Sequence, residues 1–125
     1  MKSQQFGVVQ LKIMQVLWDK GQANAREITS VLNHDQEIAH STVQTLLRQL
    51  ELKGAISHRR ENRTFVFRPL VEQDKVVESE IRQLKNRLFS GSAMGLMSYL
   101  LKQETIAPEE MNEIKRLIQE KEHSS

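Results

Sequence analysis

The chain has 125 residues, 38% of them hydrophobic and 27% charged, which bounds it to about one soluble, foldable domain and excludes a disordered polyelectrolyte. With no cysteine, disulfides and thiolate metal sites are excluded and nothing suggests secretion; without a signal-like apolar core or a run near the ~18 apolar residues of a membrane span, the expectation is a cytoplasmic protein with no membrane insertion. The net charge of +2 is uninformative, but residues 1–68 carry 10 Lys/Arg against 6 Asp/Glu, residues 69–125 carry 8 against 10, and residues 39–68 alone carry 6 against 2.

Residues 1–5 are polar and expected to fray. From Val8, the positions Val9, Ile13, Val16 and Leu17, with Met14 and Trp18 beside them, have helix spacing that ends near Lys20-Gly21. Trp18 is expected as a core anchor. Gln22-Ala23-Asn24 reads as a short connector, with Asn24 as N-cap and Glu27 completing a variant capping box. A short helix follows over 25–32, with Ile28, Val31 and Leu32 as its buried face. His34, Asp35 and Glu37, with His40, contain metal-ligating residue types. They share no rigid i, i+4 helix pair, so a solvated loop is expected and no metal or cofactor site is assigned.

The next stretch, 39–53, carries the functional expectation. Val43, Leu46, Leu47 and Leu50 form one apolar stripe, while Ser41, Thr42, Gln44, Thr45, Arg48 and Gln49 lie off it. No carboxylate appears there until Glu51. Hydroxyl and amide groups can pair with base edges and phosphates, and arginine can fork onto guanine. Gly54 suits a left-handed helix end. Two runs of period-two patterning follow, Ile56 to Arg60 and Thr64 to Arg68, joined by Glu61-Asn62-Arg63 with Asn62 suited to a positive φ. Phe65 and Phe67 are expected in the core. Arg59, Arg60 and Arg68 are phosphate candidates, and Arg63 sits at the tip of what would be a basic wing. Helix, short helix, loop, helix and ribbon is the order of a winged helix-turn-helix, whose second helix enters the major groove.

After Pro69-Leu70 the composition changes. Val76, Val77, Ile81, Leu84 and Leu88 mark a long helix over about 72–89, and Ser90-Gly91-Ser92 breaks it. Met94, Leu96, Met97, Tyr99, Leu100 and Leu101 form a short apolar helix. Pro108-Glu109-Glu110 starts a last one, striped by Met111, Ile114, Leu117 and Ile118, with a fraying tail over 121–125. So much apolar surface on three small helices predicts a dimer. The residues expected to form it are Val77, Ile81, Leu84, Leu88, Leu96, Leu100, Ile114, Leu117 and Ile118. A two-fold dimer would bring two reading helices to a palindromic site.

The fold class predicted is mainly α with a small β-hairpin: a winged helix-turn-helix domain over 1–70 and a C-terminal three-helix dimerisation region over 71–125. The function predicted is a homodimeric repressor binding double-stranded operator DNA. The alternative is a winged-helix protein–protein interaction module. An enzyme is not expected: His34, His40, His58 and His123 form no visible nucleophile–base–orienter set, and Glu109, Glu110 and Glu113 read as helix-start acids.

Ile13-Met14-Gln15-Val16-Leu17-Trp18, then Thr42-Val43-Gln44-Thr45-Leu46-Leu47-Arg48-Gln49-Leu50 with Lys53-Gly54, then Asn62-Arg63-Thr64-Phe65-Val66-Phe67 before Pro69-Leu70 resemble the penicillinase-repressor family, the BlaI/MecI/CopY group. Leu88-Phe89-Ser90-Gly91-Ser92 and Pro108-Glu109-Glu110 extend the resemblance across nearly the whole chain, from about Val8 to Glu120. It implies a homodimeric winged-helix repressor of operator dyads, often of TACA/TGTA type, with Thr42, Thr45, Arg48 and Arg63 at DNA-contact positions. In the beta-lactam branch, a membrane sensor protease system inactivates the repressor by cutting an Asn-Phe junction. Tyr99-Leu100 stands at that place here, which marks a candidate cleavage region but not the family junction. In the copper branch a C-terminal cysteine motif binds metal, and this chain has no cysteine.

Overall fold

The computed structural model describes residues 6–103 and 105–124; the expected fraying at 1–5 and at Ser125 lies outside them. Helix α1 (Val8–Lys20) places Ile13, Met14, Val16 and Leu17 on a buried face, and Gly21 at φ 84° ends it. The connector is not merely extended. Ala23–Asn24 is a two-residue strand, β1, too short to show any period in sequence. Asn24 then caps α2 (Ala25–Leu32): Glu27 N–H donates to Asn24 Oδ1 and Asn24 N–H to Glu27 Oε1, both at 2.9 Å. Ile28 and Leu32 are buried, but Val31, expected beside them, is 38% exposed. Eight residues give α2 only a narrow buried stripe, and Val31 lies past its edge.

Helix α3 (His40–Leu52) buries Val43, Leu47 and Leu50. Leu46 is half-buried and packs against the core from its edge. The helix closes with two bonds, Ala55 N–H to Leu50 O and Gly54 N–H to Glu51 O, both 3.0 Å, with Gly54 at φ 79°. This is the Schellman arrangement, which needs a left-handed residue past the cap. Strands β2 (Ile56–Glu61) and β3 (Thr64–Pro69) pair antiparallel from Ile56↔Pro69 to Glu61↔Thr64, so the turn shortens to Asn62 and Arg63. Asn62 takes φ 58°. The ribbon gains a third strand: β1 adds to β3 through Ala23↔Phe67 and Asn24↔Val66, giving the order β1-β3-β2. Phe67 and Val66 are buried, whereas Phe65 is 49% exposed, against the expectation of a core position. It lies near the hairpin tip, beyond the reach of the helical core.

The core of Ile13, Leu17, Ile28, Val43, Leu47, Leu50 and Ile56 joins all three helices to the sheet. Each such side chain contributes about 1.5–3 kcal/mol on full burial. Trp18 does anchor this core, packing against it with its indole N–H on Val71 O at 3.0 Å. Helix α4 (Gln73–Phe89) begins in this first unit, which extends to Glu80, and buries Val76 there.

The second unit is Ile81–Ser125. Ser90 (φ 51°) and Gly91 (φ 83°) break α4 from α5 (Ala93–Gln103), whose Gly95 N–H is accepted by Ser92 Oγ at 2.8 Å. Helix α6 (Pro108–His123) opens on proline and two glutamates and stays helical through His123, further than the expected fraying allowed. Arg116 bonds Glu113 and Glu120 one turn either side. That hydrogen bond holds the Glu113 carboxyl below its ordinary range and raises the guanidinium. Neither α5 nor α6 buries a residue. Among the described residues no helix is long and apolar enough to cross a membrane.

Candidate nucleic-acid interface

Burying one stripe of α3 decides what the others present. Ser41, Thr42, Gln44, Thr45 and Arg48 are all exposed. Thr45 Oγ1 donates to Ser41 O at 3.1 Å, so its single hydroxyl proton is engaged within the helix. What Thr45 offers outward is a methyl group and an acceptor lone pair. Arg48 Nη2 reaches that oxygen at 3.5 Å, a weak bond that steers the guanidinium without holding it. Ala39 supplies no side-chain cap to α3, so the first-turn amides lack the side-chain acceptor that many helices provide.

Gln49 is placed differently from the rest of the reading set. Its Oε1 accepts from Gln10 Nε2 at 3.0 Å, and Gln10 Oε1 accepts from Gly7 N–H at 2.9 Å and Lys53 Nζ at 3.0 Å. Gln10, nearly buried, thereby ties the start of α1 to the end of α3. Sequence reasoning missed this hub, because a lone glutamine on a helix carries no signal until its partner is in place.

The arginines of the wing divide into tied and untied. Arg59 Nη2 lies 2.7 Å from Glu61 Oε2, and its Nη1 donates to Gln22 Oε1 at 3.1 Å. Arg60 lies over the Phe65 ring, 5.9 Å from its centroid. That contact gives the exposed Phe65 its role: it supports a cation at the tip. Arg63 and Arg68 are exposed, and among the described residues Arg63 has no ion-pair partner.

Between α3 and the hairpin runs a groove of about 690 Å³. Its floor is Leu47 and Phe67; His40, Gln44, Arg48 and Glu51 line one side, Arg63 and Thr64 the other, and Arg26 at the start of α2 one end. Glu51, the carboxylate there, lies 2.7 Å from His58 Nδ1, and the His58 ring packs 4.8 Å from Phe65 and 5.6 Å from Phe67. The wing base is thus clasped to the end of α3, and Arg26, Arg48 and Arg63 set the sign of the groove. Arg26 and His40 were not on the expected contact surface. The signal was present for His40: His40, Gln44, Arg48 and Glu51 recur at helix spacing along the edge of the apolar stripe. Among the described residues no group of three or more His, Asp or Glu could hold a metal ion.

All the dimer candidates but Val77 lie in the second unit. Val77, Ile81, Leu88, Leu100, Leu117 and Ile118 are exposed, Leu88 by 63%, and Leu84, Leu96 and Ile114 are half-buried. Tyr99 and Leu100 are both exposed on α5, with the Tyr99 ring 6.0 Å from Phe89.

The sequence profile of the penicillinase repressor family matches residues 6–120. The penicillinase repressor of Bacillus licheniformis is 28% identical over 119 residues, spanning 95% of this chain and 93% of that protein. The solution structure of the DNA-binding domain of the repressor BlaI superposes with a TM-score of 0.52 at 32% identity, covering 58% of this chain and 90% of that domain. A MarR family protein from Bacillus stearothermophilus shares the fold at a TM-score of 0.57 and 17% identity, over 96% of this chain and 75% of that one. A winged helix-turn-helix with an exposed polar face on α3, on a chain matched by the profile over nearly its whole length, places this protein in the penicillinase repressor family of transcriptional repressors.

Proposed function

We propose that the chain represses transcription as a homodimer bound to a palindromic operator, each copy laying α3 in a major groove and its wing on the adjacent backbone. The DNA-binding part is residues 1–70 and the dimerisation part residues 71–125. The observation that carries this reading is the outward face of α3. Ser41, Thr42, Gln44, Thr45 and Arg48 stand exposed on a helix whose other side is locked into the core, with Arg63 untied at the wing tip. Thirteen residues at 1.5 Å each make a rod of about 20 Å, suited to a groove about 12 Å wide.

Dimerisation is supported by α5 and α6, which bury no side chain while presenting Leu100, Leu117 and Ile118. A second copy is the simplest cover for that surface. Tyr99-Leu100, exposed on α5, is where cleavage by a membrane sensor protease system would relieve repression, since a cut there removes the last four residues of α5 and all of α6.

The test is selection of bound duplexes from a random pool, followed by sedimentation of the complex. The reading requires an inverted repeat with half-sites spaced by whole helical turns and two chains per duplex. An asymmetric site bound by one chain would refute the dimeric reading. Failure to retain any duplex at low salt would leave the fold as a protein-docking module.

A further inference from the structure

One polar group in the groove is used by neither the core nor the outward row of α3. His40 is the first residue of that helix, half-buried and facing α2. Its Nδ1 lies 3.0 Å from Thr29 Oγ1, and Thr29 Oγ1 lies 2.8 Å from Ala25 O. Thr29 has one hydroxyl proton, so the neutral pair has two arrangements. Given to Ala25, that proton leaves His40 Nδ1–H donating to Thr29 and Nε2 presenting a lone pair. Given to His40 Nδ1, it leaves Nε2–H as a donor. Rotating one hydroxyl interconverts them while the ring stays where it is.

The surroundings choose between the two. Arg26, in the first turn of α2, lines the same groove, as do Arg48 and Arg63. The carboxylate there, Glu51, is held by His58. An electropositive wall attracts an acceptor, and an acceptor selects the Nε2–H form. Among the described residues His40 Nε2 has no hydrogen-bond partner, and Arg26 has no ion pair. We propose that Arg26 and His40 together grip one phosphate of the operator backbone, with Thr29 as the positioning residue that fixes the imidazole and supplies its tautomer.

A backbone phosphate fits better than a base edge. His40 bonds Thr29 on α2 and so is turned away from the outward row of Ser41 and Thr45. When a helix occupies a groove, its outward row meets bases and its flank meets the wall of sugars and phosphates. This inference rests on the DNA-binding reading above.

The test uses the full chain and a duplex it has selected, with anisotropy followed across a salt series. The same duplex is also made with a single uncharged methylphosphonate at each backbone position in turn. Arg26→Ala should weaken binding by about threefold to tenfold and reduce the log–log salt slope by about 0.9 per half-site. His40→Ala should weaken binding with little change of slope, because a neutral donor displaces no counterion. Thr29→Val, which keeps the shape and removes the hydroxyl, should behave like His40→Ala, while His40→Gln recovers part of the loss. One methylphosphonate position should weaken the wild type most, and Arg26→Ala, which has already lost the charge contact there, should respond to it least. Arg26 is exposed, so its variant carries the test even if Thr29→Val melts early. Wild-type-like binding by Arg26→Ala and His40→Ala, or losses identical on every methylphosphonate duplex, would overturn the phosphate site while leaving the repressor reading intact. A relaxed base preference in His40→Ala would overturn it too, making His40 a base reader. If the wild-type chain itself favours no duplex, the DNA-binding reading fails first and this site with it.

Discussion

Replacing Arg48 with alanine separates reading from folding. The guanidinium is exposed, and its bond within the protein is the 3.5 Å approach to Thr45, so the folded state should lose almost nothing. Its loss on DNA should be large. A bidentate arginine on guanine discriminates by about 1–3 kcal/mol, or roughly fivefold to 150-fold in affinity per half-site (RT is about 0.59 kcal/mol). On a two-fold operator both copies lose it, so the combined effect starts at about 30-fold. The assay is competition between the selected operator and variants changed at one base pair per half-site, with thermal melting of the free protein as control. The expected outcome is unchanged melting, a flattened preference at one position in each half-site, and full preference elsewhere. An Arg48→Ala protein that keeps wild-type ranking of every base pair would show that α3 does not read sequence through this side chain. Uniform weakening across all sequences would make Arg48 a phosphate contact.

Leu47→Ala removes a side chain 1% exposed at the junction of α3 with the groove floor. It should cost about 2–5 kcal/mol and be read as a fall in Tm, with base preference unchanged in the fraction that stays folded. Leu117→Glu combined with Ile118→Glu places charge on an exposed apolar face of α6. Sedimentation should then report a single chain at concentrations where the wild type is paired; a double variant that still pairs would move the interface off α6. Glu113 sits below its ordinary pKa because Arg116 bonds it. A folded-state pKa below the unfolded one means the pair's contribution is complete above the unfolded-chain value and is lost as pH falls through the folded one. Circular dichroism on acidification should therefore show more helix lost in the wild type than in Glu113→Gln, and equal losses would mean the pair does not support α6.

Helix positions were legible wherever a period could be counted. The stripes Ile13–Leu17 and Val43–Leu50, the cap at Asn24 and the stop at Gly54 each involve neighbours within a turn or two, and each is as expected. Errors arose where the deciding partner is distant in the chain. β1 is two residues long and exists because β3 arrives beside it. Phe65 and Phe67 share an alternation, yet only Phe67 lies over the core, since the distance from the hairpin tip to the helices is a tertiary quantity. The candidate surface shows the same division. The exposure of Ser41, Thr42, Thr45 and Arg48 follows from the apolar stripe, whereas the ties of Gln49 to Gln10 and of Arg59 to Gln22 cross 39 and 37 residues of sequence.

A chain of net charge +2 must concentrate its positive groups to engage a polyanion, and this one does so by leaving some cations untied. Arg59 pairs with Glu61 and Arg60 rests on Phe65, which stiffens the wing. Arg26, Arg48 and Arg63 line the groove with Glu51 already engaged by His58. With Arg48 on a base, two phosphate contacts per chain, from Arg26 and Arg63, would give a log–log salt slope of about 1.8, or about 3.6 for two chains on one operator. Between 50 and 200 mM salt the single half-site would then lose about 12-fold in affinity. So few contacts would make a half-site weak alone, and tight binding would depend on the proposed dimer holding two of them together. A dimer of the kind proposed would need no change in α3 to be switched off. Separating its two chains would be sufficient, and the helices proposed to join them, α5 and α6, have buried none of their own side chains.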